Sequence, residues 1–253
     1  MPSEIIVGDC LEVLPSIQAR NKKFIVVTDP PFNVGYHYNN YKDNLDADEY
    51  YEMLGSVFQY SPFVVIHYAE KIYKIAFQVG EFPDKVVSWV YNSNTPKQHR
   101  DIAFFGVKPD FTKYGQPYKN LKDKRIMQRI ADGKSARLYD WWEINQVKNV
   151  SKEKTSHPCQ MPVEVMRRII GILPEDYTIV DPFMGSGTSA VAAVKCGLDY
   201  IGFDIDKDYK QFAEDRIADV TSKPVVSAKP NVSVKKIDNE LFTFASVSYT
   251  HLT

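Results

Sequence analysis

The chain has few of the residues that mark disulfide-rich, metal-binding or membrane proteins. Its 253 residues include three cysteines, far apart, and five scattered histidines. Such cysteines fit reduced thiols, and no His or Cys cluster has metal-ligand spacing, so we expect neither a disulfide framework nor a metal site. No apolar run reaches the roughly 18 residues of a membrane span, and no charged and then apolar leader opens the chain. We therefore expect no signal peptide, no membrane contact and a cytoplasmic location.

The chain also has little net charge. A formal charge of −1 ordinarily argues against a nucleic-acid partner. The charges are unevenly distributed, however, because the stretch from Lys97 to Arg137 carries eleven Lys and Arg side chains against four Asp. A basic stretch is more often only a solvated face. This one is interleaved with Phe111, Tyr114 and Tyr118, a mixture that suits phosphate contact and base stacking.

The most informative motif is Asp29-Pro30-Pro31-Phe32. It ends the short apolar run from Phe24 to Thr28, which is rich in β-branched residues and predicts a buried strand. A central strand cannot hold two prolines, so the Asp29 carboxylate is placed at a strand tip. Taken alone, an acid followed by two prolines is common loop punctuation. Its alternative use is to offer a carboxylate, a free carbonyl and an aromatic face to a planar ring that carries an exocyclic amine.

A second motif overturns the simpler interpretation. The run from Tyr177 to Val180 predicts another strand, and Asp181-Pro182-Phe183-Met184-Gly185-Ser186-Gly187-Thr188 follows it. Glycines at a strand-to-helix turn permit positive φ and close approach of a ligand to the backbone. A Gly-x-Gly pair alone is weak, and the full dinucleotide-binding pattern is absent. Asp204, at the end of the next apolar strand, lies where an acid reaches the ribose hydroxyls of a nucleoside. We expect both strand tips to face one crevice.

The length and the order of elements indicate one α/β domain, with or without an inserted subdomain. Apolar strands alternate with amphipathic helices, which predicts a largely parallel sheet. We expect residues 1–222 to form this domain, residues 97–150 to form a basic surface insertion, and residues 33–45 to form a mobile loop beside the first motif. Residues 223–253 are expected to be weakly structured, or a non-native tail. The predicted strands are 4–7, 24–28, 63–67, 85–91, 177–180 and 200–204, and the predicted helices are one after Cys10 and those at 48–60, 70–79, 162–173, 188–196 and 208–220.

With these motifs, the chain resembles the amino-methylating DNA methyltransferases that act on N6 of adenine or N4 of cytosine. It resembles the permuted type, in which the Asp-Pro-Pro-Phe motif precedes the Asp-Pro-Phe-Met-Gly-Ser-Gly-Thr motif. The resemblance covers about residues 3–217 and includes Gly8-Asp9-Cys10-Leu11 and His157-Pro158-Cys159-Gln160-Met161-Pro162. Two departures stand out: Met161 replaces the usual Lys, and Asp204 replaces the more frequent Glu.

The resemblance implies a Rossmann-like methyltransferase fold with S-adenosylmethionine as cofactor and no metal. Asp29, Pro30, Pro31 and Phe32 would hold a flipped-out target base. The residues implied to bind the cofactor are Asp9, Asp181, Pro182, Phe183, Gly185, Ser186, Gly187, Thr188 and Asp204. The basic insertion at 97–150 would read double-stranded DNA, because no separate recognition domain is visible.

The implied reaction is site-specific methylation of N6 of adenine in a bacterial or phage-infected cell. Asp at position 29 favours adenine, since the family members that methylate cytosine N4 more often carry Ser there. Methylation of cytosine N4, of RNA or of a protein glutamine stays open, as does a binding protein that has lost catalysis; a nicotinamide oxidoreductase would leave Asp29 to Phe32 unexplained. We keep two further partners open, a second copy of the chain and a cognate restriction endonuclease that acts separately.

Overall fold

The computed structural model describes residues 3–20, 23–36, 38, 40–60, 62–147 and 160–222. The strands are β1 Glu4–Val7, β2 Phe24–Thr28, β3 Phe63–His67, β4 Lys85–Val90, β5 His99–Phe105, β6 Gly115–Gln116, β7 Ala136–Arg137, β8 Trp141–Glu143, β9 Thr178–Asp181 and β10 Tyr200–Asp204. The helices are α1 Cys10–Arg20, α2 Ala47–Phe58, α3 Ala69–Val79, α4 Lys124–Ala131, α5 Val163–Gly171, α6 Thr188–Cys196 and α7 Lys207–Thr221. In the part of the chain that is described, no helix is long and apolar enough to cross a bilayer.

Eight strands form one sheet in the order β1-β10-β9-β2-β3-β5-β4-β8. The first five run parallel to one another, and β4 and β8 are also parallel. β5 lies antiparallel to both of its neighbours, β3 and β4. The predicted α/β class with a mostly parallel sheet is therefore confirmed.

The central strands are buried on both faces of the sheet, as parallel strands covered by helices must be. Within β2, Ile25 and Val27 belong to one core with α5 and α6, whereas Phe24 and Val26 belong to a second core with α1, α2 and α3. This explains why β2 is an unbroken apolar run in the sequence rather than an alternating one.

The predicted elements outside 97–150 are present, with boundaries that differ by at most two residues. The predicted basic surface insertion is wrong in its bounds, because β5 lies inside the sheet and β8 forms its edge. β5 was missed because only Ile102 to Phe105 form an apolar run, after three polar residues. What lies outside the sheet is the segment 106–140, which holds α4 and the small β6–β7 pair. The predicted tail at 223–253 and His157-Pro158-Cys159 lie outside the described residues.

Candidate active site at the carboxyl ends of three strands

Three predicted acids come together because their strands are neighbours. β10, β9 and β2 are adjacent and parallel, so Asp204, Asp181 and Asp29 all lie where these strands end, on the carboxyl side of the sheet. A hydrogen bond of 2.7 Å runs from the Thr28 hydroxyl to Asp181 Oδ1, so the tips of β2 and β9 are directly joined. Carboxyl ends of parallel strands are where open α/β sheets bind ligands.

One cavity of about 310 Å³ opens on this side of the sheet, a volume at the lower end of small-molecule sites. Both motifs line it, together with Asp9 and Asp204. The cavity receives twelve of the thirteen predicted site residues: Asp9, Asp29, Pro30, Pro31, Phe32, Asp181, Pro182, Phe183, Gly185, Ser186, Thr188 and Asp204. Gly187 is not among its lining residues. Its φ of +77° and its approach to Ala213 of α7, where an added Cβ would lie 2.5 Å from the Ala213 Cβ, explain why a glycine is needed there.

The glycine turn after β9 is fixed by hydrogen bonds at both ends. Asp204 accepts the backbone N–H of Gly185 at 2.9 Å on one oxygen and that of Asp206 at 2.9 Å on the other. From α7, Arg216 donates to the Ser186 carbonyl at 2.7 Å and to the Thr188 hydroxyl at 3.1 Å. The turn is therefore preorganised, and the Asp204 carboxyl keeps acceptor capacity for a ligand beyond these bonds.

The half of the cavity next to β9 and β10 has residues that fit S-adenosylmethionine. Asp9, Asp181, Asp204 and Asp206 place four carboxyl groups around one space, which suits a ligand with a sulfonium and an ammonium group. Burial raises the pKa of Asp181 to about 6 and also raises the pKa of Asp204. A cationic ligand would favour the charged forms of these carboxyls, so its binding is expected to be linked to their ionisation.

Asp29 lies in the other half of the cavity, at the end of β2. Its side chain is 16% exposed, and its Oδ2 lies 3.6 Å from an Arg100 guanidinium nitrogen. Oδ1 is buried and has no hydrogen-bond partner among the described residues. Burial raises the pKa of Asp29 to about 7, although the Arg100 charge works in the opposite direction. A buried acceptor without a partner is costly, and it is satisfied if a ligand donates to it.

Phe32 is held in place by a buried histidine. The rings of Phe32 and His67 stack at 4.1 Å with an interplanar angle of 21°. His67 Nδ1 accepts the Tyr68 backbone N–H at 2.8 Å, so the neutral ring carries its proton on Nε2, 3.0 Å from the Tyr50 hydroxyl. Tyr50 in turn donates to the Pro31 carbonyl at 2.6 Å. Burial lowers the pKa of His67 to about 3, so the ring stays neutral in this chain of hydrogen bonds.

The loop at 33–45 lines the cavity as predicted, but its described part is anchored rather than loose. Asp43 is buried and accepts the backbone N–H groups of Asn33, Val34 and Tyr36 at 2.8 to 3.1 Å. Asn33, with φ of +53°, exchanges two side-chain hydrogen bonds with the Leu45 backbone. These described residues of the loop therefore form a hydrogen-bonded wall of the cavity that Asp29 also lines.

Sequence reasoning missed several residues of the site. Arg100 was counted only within the basic stretch, and Tyr50 and Thr28 were assigned no role. The one local signal for Arg100 was its position two residues before the apolar run Ile102 to Phe105, since a charged residue next to a buried run often has a partner. The roles of Tyr50 and Thr28 depend on contacts between distant segments, for which the sequence carries no local signal.

The model of a protein family described as DNA methylase, the N6 and N4 methyltransferases, matches residues 24–215. That match spans more than half of the chain and contains both motifs. The chain belongs to this family. The predicted amino-methyltransferase family and its cofactor, S-adenosylmethionine, are thereby confirmed, as is DNA as the substrate class.

Individual DNA methylases agree with this assignment. The type II methyltransferase M.HpaI of Haemophilus parainfluenzae is 27% identical over 243 residues, which cover 86% of this chain and 74% of that protein. The DNA adenine methyltransferase YhdJ of Escherichia coli is 25% identical over 272 residues, covering 92% of this chain and 87% of YhdJ.

Solved structures show the same fold. The PvuII DNA methyltransferase, described as cytosine-N4-specific, superimposes with a TM-score of 0.62 at 18% identity and covers 88% of this chain and 91% of its own. The M1.HpyAVI complex with S-adenosylmethionine gives a TM-score of 0.56 at 20% identity and covers 85% and 98%. Because relatives of both base specificities are similar to this DNA methylase, the comparisons leave the target base open.

Proposed function

We propose that this DNA methylase transfers the methyl group of S-adenosylmethionine to the exocyclic N6 amine of a flipped-out adenine. The observation that carries the proposal is the Asp29 carboxyl, which lines the same cavity as Phe32 and the predicted cofactor residues and whose buried Oδ1 has no hydrogen-bond partner among the described residues. Asp at this position favours adenine over cytosine within the family that the chain resembles. Asp29, Pro30, Pro31 and Phe32 would hold the base.

The proposed chemistry depends on the amine hydrogens. An exocyclic amine conjugated to its ring is a poor nucleophile, and Asp29 and the Pro30 carbonyl would each accept one of its two hydrogens and favour a pyramidal nitrogen. The Pro31 carbonyl is already occupied by Tyr50, so it holds the loop rather than the base. S-adenosylmethionine, when bound, supplies an electrophilic methyl group on a sulfonium.

The atoms balance without a further reactant. The nitrogen lone pair forms the N–C bond while the C–S bond breaks and its electron pair stays on sulfur. The methylated nitrogen then loses one proton, which the Asp29 carboxylate can accept because burial has raised its pKa to about 7. Most of the acceleration would come from alignment and from electrostatic stabilisation of the developing charge.

The base must leave the duplex to reach this cavity, at a cost of a few kcal/mol. We propose that the segment 106–140 between β5 and β8 contacts DNA phosphates and bases. There, Lys119 Nζ lies 4.1 Å from the ring centroid of the half-exposed Trp141, and Arg129 donates to the Tyr118 hydroxyl at 2.9 Å. Cations next to exposed aromatic rings suit an unpaired strand. A homodimer and a cognate restriction endonuclease stay predictions.

The test is transfer of labelled methyl from S-adenosylmethionine to unmethylated bacterial genomic DNA, followed by mass spectrometry of the nucleosides. We expect N6-methyladenine. N4-methylcytosine would retain the mechanism and overturn the base assignment. If cofactor binding is demonstrated and neither nucleoside forms, the proposed reaction on DNA is wrong for this chain.

Replacing Asp204 with alanine is expected to weaken S-adenosylmethionine binding. The change removes two charge-assisted hydrogen bonds to the glycine turn and the proposed ribose contact, each worth about 1.5–3 kcal/mol, so we expect a loss of at least roughly tenfold in affinity. Isothermal titration calorimetry measures it. The control is Asp208→Ala, which removes an equal charge from an exposed position of α7. Unchanged affinity in Asp204→Ala would mean that another residue holds the ribose.

A further inference from the structure

Arg100 lies among the residues of the proposed base site, although it comes from the opposite half of the sheet. It is the second residue of β5, where it pairs with Trp89 of β4. Its side chain is only 17% exposed. The guanidinium carbon lies 4.5 Å from the ring centroid of Phe32, 5.3 Å from that of Trp89 and 6.0 Å from that of Tyr68. Three aromatic rings therefore surround a cation at the edge of the cavity.

Phe32 consequently has no open face in the protein without DNA. His67 covers one face of the Phe32 ring, with 4.1 Å between the two ring centroids. The Arg100 guanidinium carbon lies 4.5 Å from the Phe32 centroid, and a six-membered ring is too small for both planar groups to stack on one face. Arg100 therefore covers the other face. A base can stack on Phe32 only if one of these two groups leaves.

The contacts indicate which group leaves. His67 is fully buried and fixed through both ring nitrogens, by the Tyr68 N–H and the Tyr50 hydroxyl. Arg100 is less enclosed, since its side chain is 17% exposed and lies 3.6 Å from Asp29, and its Nε is buried without a hydrogen-bond partner among the described residues; its side-chain hydrogen bond to Tyr91 is the one such bond that a departing guanidinium would have to break. Arginine also has a long flexible side chain, whereas the His67 ring is fully enclosed and has no space into which it could rotate.

The guanidinium also resembles the proposed substrate in chemistry. It is planar, carries N–H donors, one of whose nitrogens lies 3.6 Å from Asp29, and lies over the Phe32 ring, as the amine-bearing ring of a base would. We propose that Arg100 fills the base site in the DNA-free enzyme and is displaced by the flipped base, so that it acts as a specificity-determining residue. The inference rests on the proposed role of Asp29 and Phe32 as the base site.

Displacement gives Arg100 its effect on specificity. Each base that enters must replace the stack on Phe32 and the ion pair with Asp29, at a cost that is the same for every base. At saturating DNA this cost lowers the flipped fraction strongly for a base that fits poorly and little for a cognate base whose flipping is nearly complete. The released cation would lie near Lys97, whose Nζ sits 3.6 Å from the Tyr68 ring centroid and 3.1 Å from Glu70 Oε1, and the Arg100 charge would then be available to a DNA phosphate.

The test follows base flipping in Arg100→Ala and Arg100→Lys. The probe is a duplex with the target sequence mapped from methylated genomic DNA and 2-aminopurine at the target adenine, added to protein saturated with S-adenosylhomocysteine. Fluorescence rises when the probe unstacks. We expect a flipping equilibrium constant about tenfold larger in Arg100→Ala, which corresponds to about 1.4 kcal/mol and lies in the range of a desolvated cation–π contact. Arg100→Lys should show a smaller rise, because it keeps the charge without the planar stack.

Two further measurements separate this role from a structural one. At saturating DNA, the ratio of methyl-transfer rates on cognate to non-cognate duplexes should fall in both variants, because only the non-cognate base gains much flipped population, whereas a merely structural defect would lower both rates equally and leave the ratio unchanged. Arg20→Ala is the control. Arg20 pairs with Glu4 at the amino end of β1, whereas the cavity lies at the carboxyl ends of the strands, so this variant should leave both flipping and the ratio unchanged. Should Arg100→Ala fail to fold, Arg100→Lys carries the test alone.

A flipping constant at or below the wild-type value, in a variant that still binds S-adenosylmethionine, would overturn the proposal. This outcome is distinct from failure of the proposed function. If the product is N4-methylcytosine, pyrrolocytosine replaces 2-aminopurine and the same comparison is made. If Asp29→Ala keeps full transfer, the base site itself is misplaced and the Arg100 proposal fails with it.

Discussion

Methyl transfer is expected to be abolished in Asp29→Ala while S-adenosylmethionine binding stays nearly intact. The change removes the carboxylate that would accept an amine hydrogen and the released proton, but it leaves Asp204, Arg216 and the glycine turn in place. Loss of one preorganised group that stabilises developing charge costs about 10²- to 10³-fold in rate, and here the same group also accepts a proton. Single-turnover transfer of labelled methyl to DNA, with calorimetric titration of the cofactor, measures both quantities.

Asp29→Asn is the matched control for shape. It keeps an acceptor oxygen at nearly the same volume but lacks the charge that pairs with Arg100, so we expect a transfer rate between those of the wild type and the alanine variant. If Asp29→Ala lost cofactor affinity as severely as transfer, Asp29 would belong to the cofactor half of the site instead.

The second large effect is expected from Gly187→Ala. The residue is the N-cap of α6 with φ of +77°, and an added Cβ would lie 2.5 Å from the Cβ and 3.0 Å from the Cα of Ala213. The left-handed conformation costs a residue with a side chain about 1–2 kcal/mol, and overpacking against α7 costs about 1–3 kcal/mol more. Urea unfolding should show the sum, and cofactor affinity should fall because the displaced turn carries Gly185 and Ser186.

Gly197→Ala separates the two contributions within one helix. Gly197 ends α6 with φ of +74°, and an added Cβ there meets no atom within 4 Å. We therefore expect only the conformational cost, with cofactor affinity unchanged. Equal destabilisation in the two variants would show that the approach of α6 to α7 adapts freely and that the contact with Ala213 is not a constraint.

The sequence was most informative where apolar runs end abruptly. β2 and β9 were recognisable because both are continuous apolar segments stopped by Asp-Pro, and buried parallel strands require such runs. β5 was missed because His99, Arg100 and Asp101 precede its apolar half, so the segment resembled the basic stretch that follows it. Local patterns could not show that the first half of a central strand would line the site.

Arg100 illustrates the remaining limit in physical terms. Its approach to Phe32 requires β5 to run antiparallel to β3, with His67 opposite Asp101. This register depends on pairing between segments more than thirty residues apart, and the polar residues give no alternation that would specify it. The motif residues could be placed at one cavity from the sequence because each lies beside its own strand end, whereas Arg100, which contacts Phe32 and Asp29, comes from a strand that the sequence did not predict.

The hydrogen bond between Thr28 and Asp181 has a consequence for the geometry of the reaction. The two half-sites are carried by β2 and β9, whose register pairs Ile25 with Ile179 and Val26 with Val180. A shift by one residue would move one half-site by about 3.3 Å along the strand, as large as the separation of about 3–3.5 Å at which reacting atoms must meet. In the proposed reaction, the backbone ladder between two core strands, more than any loop, would therefore set the distance that the methyl group travels.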